Sequence, residues 1–245
     1  MLTIDKAFLL ETALPLAEAA YNVVSETPAL PAGYALIRAI KLDRPLGKIS
    51  PDNPYFGFVA TAGNVVYIAI RGTETPDEWI DDFESVLEDV GGFKVHAGFQ
   101  RLLEALLPSI RAAIVGARAG MQFCIIGHSL GAAAASLVAA SIASGTTLPV
   151  TCIVFASPRV GDVPWKTYCD AKVTLVRVSN TKDIVTHVPP RPQFIHAGMA
   201  AVFDGWLNAI NIGQALDAHF EHSLQASYGP GIAKMADALA LIALT

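Results

Sequence analysis

From residue 121 onward, short apolar runs alternate with helical spans. MQFCII (121–126) is followed by LGAAAASLVAASIA, then VTCIVF (150–155), a helix or turn near 163–170, and VTLVRV (173–178). Strand runs without polar alternation need cover on both faces, and successive parallel strands need a crossover long enough to hold a helix. The pattern therefore predicts an α/β fold with a central, largely parallel sheet flanked by helices. Upstream, three β-like runs lie at 34–42, 55–61 and 64–70, the last two joined by the short hairpin signal AGN. Helical periodicity marks residues 1–25, 77–90 and about 98–117, and FIHAGMAAVFD (194–204) reads as a further strand or hairpin. With no linker, repeat or low-complexity segment, residues 1–245 read as one domain.

Hydrophobic residues make up 53% of the chain and charged residues 16%, which excludes a disordered polymer. The net charge of −5 argues against a nucleic-acid partner. Asp5, Glu11 and Glu18 interrupt the first apolar stretch, so it reads as an amphipathic helix and not as a leader. On that reading the expected location is cytoplasmic for the chain as given, or secreted if a leader has been removed. No apolar run reaches the length of about 20 residues needed to span a bilayer. The expectation is a protein that is not integral to the membrane. Cys124 and Cys152 lie inside apolar strand runs and read as buried thiols.

At the junction of the 121–126 strand and the helix after it stands Gly127-His128-Ser129-Leu130-Gly131. This is a G-x-S-x-G nucleophile elbow, a turn so sharp that its flanking positions must lack side chains. Gly127, Gly131 and the small residues Ala132 to Ala135 meet that demand. The serine oxygen then stands above the sheet at a helix N-terminus, where negative charge is favoured, and the Leu130 amide is a natural oxyanion donor. His128 reads as a packing residue.

A serine hydroxyl needs a base to take its proton and an acid to orient that base. In this architecture they follow in the order Ser, Asp or Glu, His. Asp183 lies just beyond a strand that ends near Ser179, whereas Asp162 and Asp170 precede that strand and Asp204 and Asp217 are less well placed. Four histidines follow Asp183. His187 is close to the acid in sequence and His196 sits in an apolar run, which leaves His219 and His222 as candidates for the base. Thr73, after Arg71-Gly72, reads from its own surroundings as a helix N-cap.

Several segments together resemble the class 3, fungal-type triacylglycerol lipases of the α/β-hydrolase fold, from about residue 55 to 230. They are VVYIAIRGTETPDEWIDDF, KVHAGFQ, IIGHSLGAAAASL, FASPRVGD, SNTKDIVTHVPP, FIHAG and HSLQASY. The resemblance implies Ser129 as nucleophile, Asp183 as acid and His222 as base, with Thr73 and Leu130 forming the oxyanion hole. It gives Arg71, Arg159 and His96 scaffold roles, and Asp162 a structural one. It also implies hydrolysis of acylglycerol esters through an acyl-enzyme, with a lipid–water interface as transient partner and with no cofactor or metal. A feruloyl esterase, phospholipase A1 or thioesterase on the same scaffold is an alternative activity, and a catalytically silent binding module is an alternative of another class.

Eight acidic residues and no lysine or arginine lie between Glu74 and Val90; without them the 22 acidic residues fall to 14 against 17 basic ones. Trp79, Ile80, Phe83, Val86, Leu87 and Val90 form one apolar helix face in that segment. The resemblance makes residues 74–90 a lid helix over the acyl site.

Overall fold

The main sheet is built by strands whose successive side chains go to opposite faces, with a helical layer on each. A computed structural model describes residues 2–47, 53–73, 86–204 and 224–235, with the backbone alone at 225 and 226. The strands are β1 (Ala35–Lys41), β2 (Tyr55–Ala62), β3 (Val65–Ile70), β6 (Gln122–His128), β7 (Val150–Phe155), β8 (Thr174–Asn180) and β9 (Met199–Phe203), in the spatial order β1-β2-β3-β6-β7-β8-β9. The first two pairings are antiparallel and the remaining four parallel. The intervening β4 (Leu87–Asp89) and β5 (Lys94–His96) form a separate two-stranded hairpin.

Helices α2 (Ala97–Ile114), α3 (Leu130–Gly145) and α4 (Val163–Lys172) cover one face, packing on Ile68, Phe123, Ile125, Cys152 and Val154. The other face, with Tyr67, Cys124, Ile126, Ile153 and Phe155, is covered by an N-terminal helical run α1 (residues 6–22) and by α5 (Leu224–Lys234). The alternation of Phe123 and Ile125 against Cys124 and Ile126 is the strand period of two, and it explains why β6 is buried along its whole length.

The N-terminal run is shorter and less regular than the expected 1–25 helix. Asp5 caps it by accepting from the Phe8 amide at 2.8 Å. Leu9–Ala13 is π-helical, with the Leu14 N–H donating to the Leu9 carbonyl, before α-helix resumes at Leu14–Ala19. Pro15 lacks an N–H and its ring crowds the carbonyl four residues back, and the wider turn accommodates it.

The expected helix over 77–90 is corrected at its end. Leu87–Asp89 is a strand paired with Lys94–His96, because Gly91 (φ +94°) and Gly92 (φ +111°) supply the left-handed backbone of a hairpin turn. Phe93 anchors this hairpin on α4, against Trp165 and Tyr168. Residues 74–85, with Trp79, Ile80 and Phe83, lie outside the described residues. The run at 194–204 contributes only β9 and a single bridge from Ile195 to Gly161.

All three cysteines are free and buried. Burial raises each thiol pKa, that of Cys169 to about 12. An unfolded thiol titrates near about 8.5, so the unfolded state loses protons first as pH rises. Stability contributed by the neutral thiols is complete below that value and is lost above it. We expect the unfolding free energy to fall above about pH 9, by about 1.4 kcal/mol per pH unit for each thiol. Urea midpoints at pH 8, 9 and 10 would show it, with a shallower slope in Cys124→Ala. A midpoint that does not move across that range contradicts the expectation.

Candidate active site

Ser129 sits between β6 and α3 with φ 58° and ψ −127°, backbone angles rare for any residue with a side chain. Such a conformation costs about 1–3 kcal/mol and persists only where its surroundings impose it. Here they do. A Cβ on Gly127 would lie 2.3 Å from the Gly131 carbonyl oxygen, and one on Gly131 would lie 2.3 Å from that of Arg71 and 2.4 Å from that of Ile70. The start of α3 is thus pressed directly against the end of β3, and both elbow glycines are sterically required.

Ser129 is fully buried, and its Oγ has no hydrogen-bond partner among the described residues. Its amide donates to the Phe155 carbonyl at 3.0 Å, and its own carbonyl accepts from Ala132 at 2.9 Å. The Leu130 and Gly131 amides therefore belong to the open first turn of α3, beside the hydroxyl. Open amides at a helix N-terminus favour negative charge developing beside them.

The chain leaving β3 runs past the elbow. A Cβ on Gly72 would come 2.9 Å from Ser129 Cβ, so this backbone abuts the nucleophile candidate, and Thr73 is the next residue, buried. Arg71 fixes the segment from inside: Nε donates to the Tyr55 carbonyl (2.8 Å), Nη1 to that of Gly72 (2.9 Å) and Nη2 to that of Asn53 (3.3 Å), with the guanidinium over Phe56. Its scaffold role is what the sequence led us to expect. The same holds for Arg159, which donates to the Pro189 and His187 carbonyls, and for His96, which caps α2 by accepting from the Gly98 amide.

Asp183 follows β8 and is fully buried at the N-cap of a 3₁₀ turn, Ile184–His187. Its Oδ1 accepts from the Val185 amide at 2.9 Å and its Oδ2 from the Tyr228 hydroxyl at 2.8 Å. Burial, then the Asp183 charge, raise the Tyr228 phenol well above its ordinary pKa, so it stays a donor. The other acids have separate tasks. Asp162 caps α4 by accepting from Trp165, Asp170 accepts from Gly198 and contacts Lys166, and Asp204 accepts from Thr181. Asp217 lies outside the described residues.

His219 and His222 also lie outside the described residues. The chain beyond them re-enters at Leu224, buried on the α1 side of the core, and four residues later delivers Tyr228 to Asp183. The remaining histidines are engaged elsewhere. The His187 Nδ1 lies 3.1 Å from the Asp183 backbone carbonyl and 3.0 Å from Thr186 Oγ1. The His196 Nε2 meets the Thr186 carbonyl at 2.9 Å, and burial followed by the Arg177 charge lowers its pKa to about 3.

One residue of this neighbourhood was not singled out from the sequence. Tyr21, at the end of α1, accepts from the Gly72 amide at 3.0 Å, and its Oη lies 2.7 Å from His128 Nδ1. His128 is therefore hydrogen-bonded as well as packed. The available signal was a tyrosine on the apolar face of the first helix, whose polar tip needs a partner once the ring is buried. A cleft of about 410 Å³ between α2 and α3, floored by Phe123 and Ile142, opens at the opposite end of the sheet and is no part of this site.

Comparison with known proteins agrees with this geometry. The family model for Lipase (class 3) matches residues 67–193, about half of the chain. A rice (Oryza sativa subsp. japonica) protein named phospholipase A1-II 4 is 29% identical over 199 residues, covering 64% of this chain and 50% of its own. The chain thus spans about half the length of the curated relatives it matches. A solved triacylglycerol lipase, described as having a catalytic centre formed by a serine protease triad, superposes with a TM-score of 0.59 at 25% identity, covering 70% of this chain and 67% of that one. The Lip2 lipase of Yarrowia lipolytica shares the fold with a TM-score of 0.63 at 20% identity, over 80% of this chain and 78% of its own. With the elbow, the parallel sheet and the matched span in register, this chain belongs to the class 3 lipase family and has the α/β-hydrolase fold.

Proposed function

We propose that the protein is a serine ester hydrolase acting on acylglycerol esters through an acyl-enzyme. The observation that carries this reading is the strained, fully buried Ser129 at the head of α3, with Arg71-Gly72-Thr73 against it. In the proposed reaction His222, oriented by Asp183, takes the Ser129 proton as Oγ attacks the ester carbonyl. The Leu130 and Thr73 amides hold the tetrahedral oxyanion. The C–O bond to the alcohol breaks as His222 returns the proton to that oxygen. Water, deprotonated by the same histidine, then attacks the acyl carbonyl and restores Ser129 with release of the carboxylic acid.

A phospholipase A1 activity is the second reading, supported by the name of the rice relative. In either case the acidic segment after Thr73 is proposed as the lid, with Trp79, Ile80 and Phe83 towards the acyl chain. The test is a fluorophosphonate label mapped by mass spectrometry, with hydrolysis of tributyrin and of phosphatidylcholine measured below and above their solubility limits. Label on Ser129 and a rise in rate at the interface are expected. Label elsewhere overturns the nucleophile assignment, and a smooth curve through the solubility limit removes the lid.

A further inference from the structure

Tyr21 lies outside the span matched by the family model, yet its hydroxyl joins the ends of the two strands that flank the nucleophile. We propose that Tyr21 is a positioning residue for ester hydrolysis, fixing the Arg71–Gly72 peptide and through it the Thr73 amide against Ser129. The inference rests on the reading of Ser129 and Thr73 given above.

A phenol has one proton to give and two lone pairs to offer. The Gly72 N–H donates to the Tyr21 oxygen at 3.0 Å, and the same oxygen lies 2.7 Å from His128 Nδ1. The Gly72 amide is thereby engaged by Tyr21, and the oxyanion donor of the proposed mechanism is the next amide along the chain, that of Thr73. Arg71 completes the arrangement from the other side by donating to the Gly72 carbonyl at 2.9 Å. In a trans peptide the carbonyl and the following N–H point in opposite directions, so holding the Gly72 oxygen aims the Thr73 N–H. Tyr21 and Arg71 thus hold the two peptide planes around Gly72. There is no slack between them: a Cβ on Gly72 would come 2.6 Å from the Tyr21 hydroxyl and 2.9 Å from Ser129 Cβ. The Tyr21 ring itself is braced by the tilted His128 imidazole, 5.9 Å between centroids.

Tyr21→Phe keeps the ring and removes only the hydroxyl, so the Gly72 N–H loses its acceptor and the Arg71–Gly72 peptide loses that restraint. Small displacements of an oxyanion donor are costly, and we expect kcat to fall about 10- to 100-fold with KM within about twofold. The affinity for a trifluoromethyl ketone, which forms a tetrahedral adduct on the serine, should fall by the same factor as kcat/KM. Tyr21→Met, a second apolar replacement, should lose kcat likewise, with rates normalised to active sites titrated by fluorophosphonate. Wild-type kcat and analogue affinity in either folded variant would overturn the proposal. So would a loss confined to melting temperature, which is what a packing role alone predicts. If the wild-type label maps to Ser129 while Tyr21→Phe is unaffected, this inference alone fails; a label on another residue removes the hydrolase reading and this inference with it.

Discussion

Ser129→Ala is expected to abolish ester turnover, lowering kcat by about 10⁵-fold, while the protein stays folded. The residual rate is what the oxyanion donors and substrate binding supply without a nucleophile. Alanine keeps the Cβ, so the backbone at φ 58° bears the same strain as before. The hydroxyl it removes is buried with no hydrogen-bond partner among the described residues, and such a group costs about 1–3 kcal/mol. The unfolding free energy should therefore hold or rise slightly in urea titrations. A loss of activity with a gain in stability marks a residue kept for chemistry. Wild-type-like turnover in the folded variant would remove Ser129 from the mechanism.

Asp183→Asn should be the next most damaging change, with kcat about 10⁴-fold lower. The amide is isosteric and its oxygen still accepts from the Val185 amide, but the charge that orients the base and stabilises its imidazolium form is gone. The Nδ2 group now faces the Tyr228 hydroxyl, which must turn to accept. Tyr228→Phe separates the two effects. It leaves the charge in place and removes one charge-assisted hydrogen bond, worth about 1.5–3 kcal/mol of stability, with a much smaller loss of kcat. His222→Ala should match Ser129→Ala, His219→Ala should be mild, and Ser129→Ala/His222→Ala should be no worse than either single change, because the residues act as one unit. A dead His219→Ala beside an active His222→Ala reassigns the base. Asp183→Asn with activity near wild type moves the acid elsewhere, and Asp204 is then the next acid to replace.

The sequence by itself determined those features that are set within a few residues. The elbow is one: glycines four positions apart around a serine, between a β run and an alanine-rich helix, admit a single backbone path, and the contacts at Gly127 and Gly131 show how little room it leaves. The parallel order of β3, β6, β7 and β8 is another, since each apolar run is followed by a span long enough for a crossover. The position of Asp183 after β8 followed from the same reading, and Cys124 and Cys152 were buried as their apolar runs required.

Where local signals competed, the sequence pointed the wrong way or fell silent. Val86, Leu87 and Val90 fit a helix face, but Gly91-Gly92 favours a hairpin, and pairing with Lys94–His96 decided for the strand at Leu87–Asp89. Tyr21 and His128 are 107 residues apart and Asp183 and Tyr228 are 45 apart, so no periodicity connects them. Those partnerships arise because α1 and α5 bury their apolar sides on the same face of the sheet, and a buried hydroxyl must find an acceptor or donor wherever that packing leaves it. Chain sterics act over one turn and can be read residue by residue. Hydrogen bonds between distant elements exist only once the core has closed around them.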